Sequence, residues 1–375
     1  MKIPTTHVGS LPGPNDFDPI GPHTDDDLRR SVEWIVEQQR GVGLDIINEG
    51  ELTKGGDWLA FMDQRLGGFD ERPLPSSGSI IGKGKDREAF ADFYRYATER
   101  QSLFFMPDKR MSSRRRYLAC TGPITYTGAV ALERELAIFR SVIGERRDCF
   151  LTSTAPASLE PYRANEFYRT SEEFVVALAD ALRVEYEAIV NAGFLLQIDD
   201  AWLVALWDRI GIDMGLPAFK RYCQHRIDAL NHALRNVPAE RVRYHLCWGS
   251  WHGPHTYDLP LADIVDVMLS VKARFYSFEA ANVRHEHEYA VWERVKLPAG
   301  KMIMPGVVTH STDLVEHPEL VSQRIQRFAR LVGAEHVIAS TDCGFGGRTH
   351  PQIAWAKLRS LCEGAALASR ALAQS

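Results

Sequence analysis

The stretch "TSEEFVVALADALRVEYEAIVNAGFLLQID", residues 170–199, contains the unit from which the fold is built. Thr170 or Ser171 can cap a helix whose first turn is acidic and whose apolar residues recur at helical spacing. Gly193 ends that helix, and the apolar run at 194–199 has the length and composition of a buried strand. A helix followed at once by a buried strand is typical of parallel βα units.

The same alternation of helix and strand continues along the chain. Helical patterns precede an apolar run at 25–50 and again at 317–340. The runs that we interpret as strands are "TTHVGS" (5–10), "LDIINE" (44–49), "RYLACTG" (116–122), "FLLQID" (194–199), "RVRYHLC" (241–247), "ARFYSFE" (273–279), "MIMPGVV" (302–308) and "HVIASTD" (336–342). Eight such runs predict an α/β protein with a single (β/α)8 TIM barrel over residues 1–375.

The longest connection between predicted strands covers residues 51–115. It is too long for one crossover, so we expect a helical insertion between strands two and three. An open, doubly wound sheet is the alternative architecture. It would need a glycine-rich phosphate turn after its first strand, and "VGSLPGP" at residues 8–14 lacks that pattern.

Composition narrows the class of protein. The 375 residues carry a net charge of −5, which gives no electrostatic reason to expect nucleic acid or an anionic membrane as a partner. No apolar stretch reaches the roughly 18–20 residues of a membrane span, and the N-terminus has no apolar signal region. The six cysteines form no CxxC pair. We therefore expect a cytoplasmic protein with reduced thiols.

Polar residues gather at one end of the predicted strands. Active sites of TIM barrels form at the carboxyl ends of the strands. The residues at those ends are Ser10, Glu49, Glu51, Thr121–Pro123, Asp199, Asp200, His245, Cys247, Glu279, His310, Asp342 and Cys343. We therefore expect the functional site at this end of the barrel.

His245 and Cys247 stand two apart on one strand, so their side chains point to the same face. A single buried cysteine or histidine is more often part of a core than a ligand. Cys343 and Glu279 stand at other strand ends and complete a set of two thiols, one imidazole and one carboxylate. These are ligands that zinc prefers, so the pattern predicts a Zn²⁺ site.

Short motifs at the strand ends resemble one family, the cobalamin-independent methionine synthases, in the catalytic C-terminal barrel. The motifs are "VGSLP", "NEGELTK", "TGPIT", "LQIDDAWL", "HLC", "SFE" and "TDCGFGGR". They occur in the family's order over nearly the whole chain, so the sequence resembles a short, stand-alone member. The resemblance implies zinc ligands at His245, Cys247, Glu279 and Cys343. It also implies thiol-substrate contacts at Ser10, Glu51 and Asp199, and a proton-handling histidine at His310.

The resemblance and the ligand set together predict a zinc-dependent S-alkyltransferase. Coordination to zinc deprotonates a thiol and keeps it nucleophilic. The expected reaction is transfer of an alkyl group, in the first place methyl, to a thiol such as homocysteine. The expected small-molecule partners are the thiol and an alkyl donor. A corrinoid protein is one possible form of the donor, and a homo-oligomer is a possible assembly of the chain.

Three alternatives stay open at this level. The same zinc site could add a coenzyme M-type thiol to an epoxide. A metal-free barrel of the uroporphyrinogen decarboxylase type shares the architecture, but it would need arginines for substrate carboxylates. A zinc-binding scaffold would keep a closed site with four protein ligands.

The sequence departs from the family at two of the motifs. The family's tryptophan after "TGPVT" is absent near Ala129, and "IDEP" is replaced by "IDDA" at 198–201, which argues against a folate donor. The loop from Trp248 to His255 could pack against the rest of the protein, or it could line a pocket for the thiol or the donor.

Overall fold

The computed structural model describes residues 2–18, 21–55, 59–73, 80–103 and 116–374. The strands are Leu66–Glu71, Leu118–Tyr126, Phe150–Thr154, Arg163–Asn165, Leu195–Asp200, Val242–Leu246, Phe275–Phe278, Met302–Val308 and Ser340–Thr341. The α-helices are Asp25–Val42, Lys85–Ala89, Ala91–Glu99, Ala129–Ile143, Pro156–Leu159, Ser171–Asn191, Ile212–Met214, Leu216–Ala233, Leu261–Leu269, Pro318–Val332 and Pro351–Gln374. No helix in these ranges combines the length and apolar composition that a membrane crossing requires.

A curled parallel sheet forms most of the barrel wall. Six strands follow one another in chain order, beginning with Phe150–Thr154 and ending with Ser340–Thr341. Two short segments near the N-terminus complete the ring. Thr5 forms a parallel bridge with Ala339, and Ile47 forms one with Cys149. The backbone oxygen of Thr5 also accepts from Ile46, 3.0 Å away, which joins the two segments. The predicted (β/α)8 barrel is confirmed.

The third barrel strand differs from the prediction. It is Phe150–Thr154, which pairs in parallel with Leu195–Asp200. The run predicted for this place lies in Leu118–Tyr126, which pairs antiparallel with Leu66–Glu71 and parallel with Arg163–Asn165. This small sheet is separate from the barrel, so Thr121–Pro123 do not stand at the end of a barrel strand. The prediction for 116–122 was wrong because an apolar, β-branched run does not reveal which partner it will pair with.

The insertion after the second strand is only partly helical. It contains the helices Lys85–Ala89 and Ala91–Glu99, but also the strand Leu66–Glu71. Residues 56–58, 74–79 and 104–115 of the predicted insertion lie outside the described residues. The two helices reach the loop after the fifth barrel strand. There Tyr94 accepts a hydrogen bond from the indole of Trp251 at 3.1 Å.

Helix ends follow the predicted signals. Thr170 caps Ser171–Asn191, because its side chain accepts from the backbone N–H of Glu173. Gly193 follows that helix with a φ of 89°, a left-handed conformation that glycine adopts without steric cost. The helix buries one face, including Leu178, Leu182 and Tyr186, against the barrel. The strand Leu195–Asp200 is buried along its whole length, as expected for a parallel barrel strand.

Candidate active site

Three predicted metal ligands converge at the carboxyl end of the barrel. His245 belongs to the strand Val242–Leu246, Cys247 follows it directly, and Cys343 follows the last strand. The ligand atoms of all three residues lie within 4.8 Å of one another, and all three side chains are buried. Zn²⁺ holds nitrogen and sulfur at about 2.0–2.3 Å in a tetrahedron, so its ligand atoms lie about 3.3–3.8 Å apart, within the observed limit of 4.8 Å. The arrangement therefore fits a zinc ion.

The orientation of His245 also fits a metal ligand. Its Nδ1 lies 3.0 Å from the hydroxyl oxygen of Ser277 on the neighbouring strand, which holds the ring in place. Its Nε2 is buried and has no hydrogen-bond partner among the described residues. A buried nitrogen without a partner is costly, and a metal ion at this position would satisfy it.

Glu279, the fourth predicted ligand, lies beside the group of three. Its Oε1 is 3.6 Å from the sulfur of Cys247 and accepts the backbone N–H of Trp248 at 2.9 Å. Its Oε2 accepts from Asn282 at 2.7 Å. Burial raises the pKa of Glu279 to about 8. The carboxylate is thus held next to the cluster by other partners, and its ligand role stays a prediction.

Asp342 is a residue whose role the sequence did not reveal. Its carboxylate accepts the backbone N–H groups of Ala280 at 2.7 Å and Asn282 at 2.9 Å. It therefore fixes the loop that carries Glu279, and its chain neighbour is Cys343. The only sequence signal was its place at a strand end beside a cysteine.

The thiols of Cys247 and Cys343 differ in pKa because they contact each other. The thiol of Cys247 donates towards Cys343, which lowers the pKa of Cys343 well below its usual value. The same contact, together with burial, raises the pKa of Cys247. Arg348 adds to the lowering at Cys343 because its positive charge is close. Cys343 is therefore the more acidic of the two thiols.

A cavity of about 90 Å³ opens directly above these ligands. It is lined by Val8, Ser10, Glu51, Asp199, Ala201, Trp202, His245, Cys247, Gly249, Ser250, Trp251, Cys343, Gly344 and Arg348. The three residues implied as thiol-substrate contacts are all among them. This volume holds several water molecules, so a compact ligand fits.

Glu51 and Asp199 form an acidic pair in this cavity. Glu51 has a φ of 59°, a left-handed conformation that is uncommon outside glycine, and its Oε1 accepts from the hydroxyl of Thr152 at 2.9 Å. Burial raises the pKa of Glu51 and raises that of Asp199 well above its usual value, and the charge of Glu51 raises the latter further. A cation bound beside the two carboxyl groups would favour their charged forms.

His310 is buried but does not line the cavity. Its Nδ1 has no hydrogen-bond partner in the described part of the chain. Burial lowers the pKa of His310 to about 3, although the nearby Cys343 acts in the opposite direction. The imidazole is therefore neutral at pH 7. Its predicted proton-handling role stays a prediction.

Two tryptophans form the aromatic part of the cavity wall. Trp202 and Trp251 line the cavity, and the guanidinium of Arg209 lies 5.2 Å and 4.9 Å from their ring centroids. Trp251 also stacks on His255 with ring centroids 4.2 Å apart. Trp248 instead packs in the core and donates to the backbone oxygen of Leu259 at 2.7 Å. The loop from Trp248 to His255 thus contributes three residues to the cavity wall, Gly249, Ser250 and Trp251, and one residue, Trp248, to the core.

Comparison with known proteins agrees with the motifs. No protein-family model matches the chain. A methionine synthase from Sulfurisphaera tokodaii is 20% identical over 375 residues, which cover 96% of this chain and 91% of that protein. A 2-hydroxypropyl-CoM lyase from Xanthobacter autotrophicus is 22% identical over 404 residues, which cover 100% and 97%.

A solved structure shares the fold. The B12-independent methionine synthase from Shewanella sp. W3-18-1, in complex with selenomethionine, superposes with a TM-score of 0.73 and 19% identity over the full length of both chains. The sequence matches extend over nearly the whole chain and agree with this likeness in fold. The chain is therefore similar in sequence to methionine synthases and in fold to a B12-independent methionine synthase, in agreement with its strand-end motifs.

Proposed function

We propose that this protein is a zinc-dependent enzyme that transfers an alkyl group to the sulfur of a small thiol. The observation that carries the proposal is the convergence of His245, Cys247 and Cys343 within 4.8 Å, directly beneath a cavity. We further propose that residues 1–375 form one methionine-synthase-like zinc barrel. The relatives named methionine synthase and 2-hydroxypropyl-CoM lyase support thiol alkyl chemistry.

Zinc bound here would lower the pKa of the substrate thiol and keep its sulfur nucleophilic. Three protein ligands leave one tetrahedral position for the substrate, which is the usual arrangement of catalytic zinc. Glu279 would occupy that position in the resting enzyme, since its Oε1 is 3.6 Å from the sulfur of Cys247. A scaffold protein would keep this fourth ligand in the presence of thiols. Zinc-edge X-ray absorption with and without homocysteine distinguishes the two cases.

The cavity walls would orient the acceptor for attack on the donor carbon. Glu51 and Asp199 offer negative charge to an ammonium group. Trp202 and Trp251 offer apolar surface to the donor and exclude water from the sulfur. His310 is the candidate proton carrier: its unpartnered Nδ1 would take up the proton that the substrate thiol loses and pass it to the leaving atom, which requires that the bound substrate raise the pKa of His310 above its resting value of about 3.

The ammonium assignment predicts a selective loss. Asp199→Asn should weaken binding of homocysteine by about tenfold or more, because a charge-assisted contact is lost. Binding of 4-mercaptobutanoate, the same thiol without its amino group, should change little. Calorimetric titration of both thiols measures the difference. Equal losses for both would mean that Asp199 does not recognise an ammonium.

Asp200→Asn is the matched control for this prediction. Asp200 is the next residue, but its carboxylate accepts from Ser158 at 2.7 Å and Tyr244 at 2.8 Å, and it does not line the cavity. The control should lower the melting temperature and leave the preference between the two thiols unchanged.

The cavity of about 90 Å³ favours a compact alkyl donor, and a protein-bound corrinoid would have to present its alkyl group from outside the cavity. Methyl-folate polyglutamate should be a poor donor, because the family's tryptophan is absent near Ala129, which is exposed at the start of its helix. Without a clamp on the pterin, a misplacement of the methyl carbon by about 1 Å can cost about a hundredfold in rate. Steady-state assays with each donor test this. Efficient transfer from the folate at micromolar concentration would show that Trp202 and Trp251 supply the missing surface.

Thiol addition to an epoxide is the second candidate reaction. The match to a 2-hydroxypropyl-CoM lyase over the full chain favours it. A single assay tests both reactions: zinc-loaded protein is incubated with homocysteine or 2-mercaptoethanesulfonate and with methyl donors or epoxypropane. Mass spectrometry should detect one S-alkylated product. Failure of every pairing, in protein that carries one zinc per chain, would contradict the proposed function.

A further inference from the structure

The insertion after the second barrel strand contacts the loop that carries Trp251. We call residues 248–258 the wall loop, because Trp251 lines the cavity. The indole Nε1 of Trp251 donates to the hydroxyl of Tyr94 at 3.1 Å, the one hydrogen bond that this nitrogen makes within the described ranges. The phenol in turn donates to the carboxylate of Asp86 at 2.7 Å. A polar chain thus runs from the helices of the insertion to a ring in the cavity wall.

Two backbone hydrogen bonds join the same two segments. The N–H of His252 donates to the backbone oxygen of Leu103 at 2.8 Å, and the N–H of Thr256 donates to the carboxylate of Asp86 at 2.9 Å. The first residue of the wall loop, Trp248, is instead packed in the core. The barrel therefore holds the start of the wall loop, and the insertion holds its middle.

Several close neighbours of the Trp251 ring belong to the wall loop itself. The ring stacks on His255 with centroids 4.2 Å apart. A Cβ added at Gly249 would lie 1.8 Å from the ring, and one added at Gly253 would lie 2.4 Å from Nε1, so only glycine allows this close approach. These contacts move with the loop. The position of the ring above the metal ligands therefore depends on contacts with other segments.

A second connection reaches the other tryptophan of the cavity wall. The backbone N–H of Asp86 donates to the carboxylate of Asp208 at 2.9 Å, and the other oxygen of that carboxylate accepts from Arg209 at 3.1 Å. The guanidinium of Arg209 lies over the rings of both Trp202 and Trp251, where a cation is attracted to the aromatic faces. The insertion thus supports one tryptophan directly and both through Asp208 and Arg209.

Packing alone does not explain the orientation of the helix Ala91–Glu99. Tyr94 is 5% exposed, whereas Phe93 and Tyr96 on the same helix are 40% and 54% exposed. A helix that only covers the barrel would be expected to bury its most apolar side chains. This helix instead buries a hydroxyl that both accepts and donates a hydrogen bond.

We propose that Tyr94 is a positioning residue that, through Trp251, sets the size of the group that the cavity admits beside the substrate sulfur. Trp251 shares a cavity of about 90 Å³ with Cys247 and Cys343, so a shift of its ring changes the space next to the metal ligands. The inference rests on the proposed function, because it requires a thiol at the metal. Tyr94 then controls specificity without touching the substrate.

The test compares a small and a bulky thiol, 2-mercaptoethanol and phenylmethanethiol, by calorimetric titration of the zinc-loaded, full-length protein. Tyr94→Phe keeps the ring and removes the hydroxyl, which frees Trp251 to move. The affinity for phenylmethanethiol relative to 2-mercaptoethanol should rise by about three- to tenfold, the factor that corresponds to one net hydrogen bond. Tyr96→Phe, an exposed tyrosine on the same helix, is the matched control and should leave the ratio unchanged.

A double-mutant cycle separates positioning from general damage to the fold. Trp251→Phe removes the same hydrogen bond from its other end and should also raise the relative affinity for the bulky thiol. Adding Tyr94→Phe to Trp251→Phe should then change the ratio by less than about 1.5-fold, because the bond is already absent. Should Tyr94→Phe not fold, Asp86→Asn weakens the same polar chain and should shift the ratio in the same direction.

The indole N–H resonance of Trp251 gives a readout that needs neither metal nor thiol. Its loss from the spectrum of Trp251→Phe assigns it. The resonance should move upfield in Tyr94→Phe, because the N–H loses its acceptor, and should stay in place in Tyr96→Phe.

The outcomes separate this inference from the proposed function. An unchanged thiol ratio in Tyr94→Phe, additive effects in the cycle, or a Trp251 resonance that does not move overturns the inference and leaves the proposed function standing. A wild type that binds neither thiol overturns both.

Discussion

Cys247→Ala is expected to release the metal and to abolish alkyl transfer. The purified wild type should carry about one zinc per chain. The variant keeps only two of the three converging ligand atoms. Replacing even an outer partner of a metal site lowers affinity by about 10- to 100-fold, so loss of a direct ligand should exceed that range. Elemental analysis after dialysis, together with the thiol alkylation assay, measures both effects.

Cys223→Ala is the matched control. Cys223 is also fully buried, but it lies in the helix Leu216–Ala233 and its sulfur faces the backbone oxygen of Leu203. This variant should retain zinc and activity. Wild-type protein that contains no zinc when produced with ample metal, or a Cys247→Ala variant that retains full zinc, would remove the basis for a metal site.

Glu135→Gln is expected to cause the largest loss of stability. Glu135 is buried, with Oε1 3.2 Å from Lys54 and Oε2 2.7 Å from Arg65. Burial acts to raise the pKa of Glu135, but the two cations outweigh it, so its pKa is lowered and the side chain is ionised. Removing this charge leaves Lys54 without its nearest counter-ion, which should cost about 3–5 kcal/mol in the free energy of unfolding.

Glu49→Gln is the matched control, because Glu49 faces the same lysine. Its Oε1 lies 3.6 Å from Lys54, and neither carboxylate oxygen has a hydrogen-bond partner among the described residues. Burial raises the pKa of Glu49 to about 8, with Lys54 opposing, so the side chain is mostly neutral at pH 7. Replacing it by a neutral amide should therefore change stability by less than about 1 kcal/mol.

The pH dependence of stability distinguishes these two acids. The folded state holds a proton on Glu49 up to about pH 8, whereas the unfolded chain releases it near its ordinary pKa of 4.5. This contribution is therefore present at pH 4.5 and is lost as the pH rises to 8, by up to about 1.4 kcal/mol per pH unit. Urea unfolding at pH 6 and pH 8 should show a smaller decline in Glu49→Gln than in the wild type. An equal decline would mean that Glu49 is already ionised at pH 6.

Much of the barrel could be predicted from the sequence because its signals are local. The helix Ser171–Asn191 and the strand Leu195–Asp200 follow from capping, periodicity and an apolar run, each read within a few residues. His245 and Cys247 face one side because alternate residues of a strand do so. The strand-end rule then brought Cys343 to the same place, although 96 positions separate it from Cys247.

Only the tertiary structure decided which run of residues forms the third barrel strand. Leu118–Tyr126 and Phe150–Thr154 have similar local character, and long-range hydrogen bonds select between them. The environment of Arg348 is equally non-local, because its partners Ser10 and Ser250 lie 338 and 98 residues away in the chain. Charge states are decided in the same way: Glu49 and Glu135 are identical side chains, and only their burial and distances to Lys54 and Arg65 make one neutral and the other ionised.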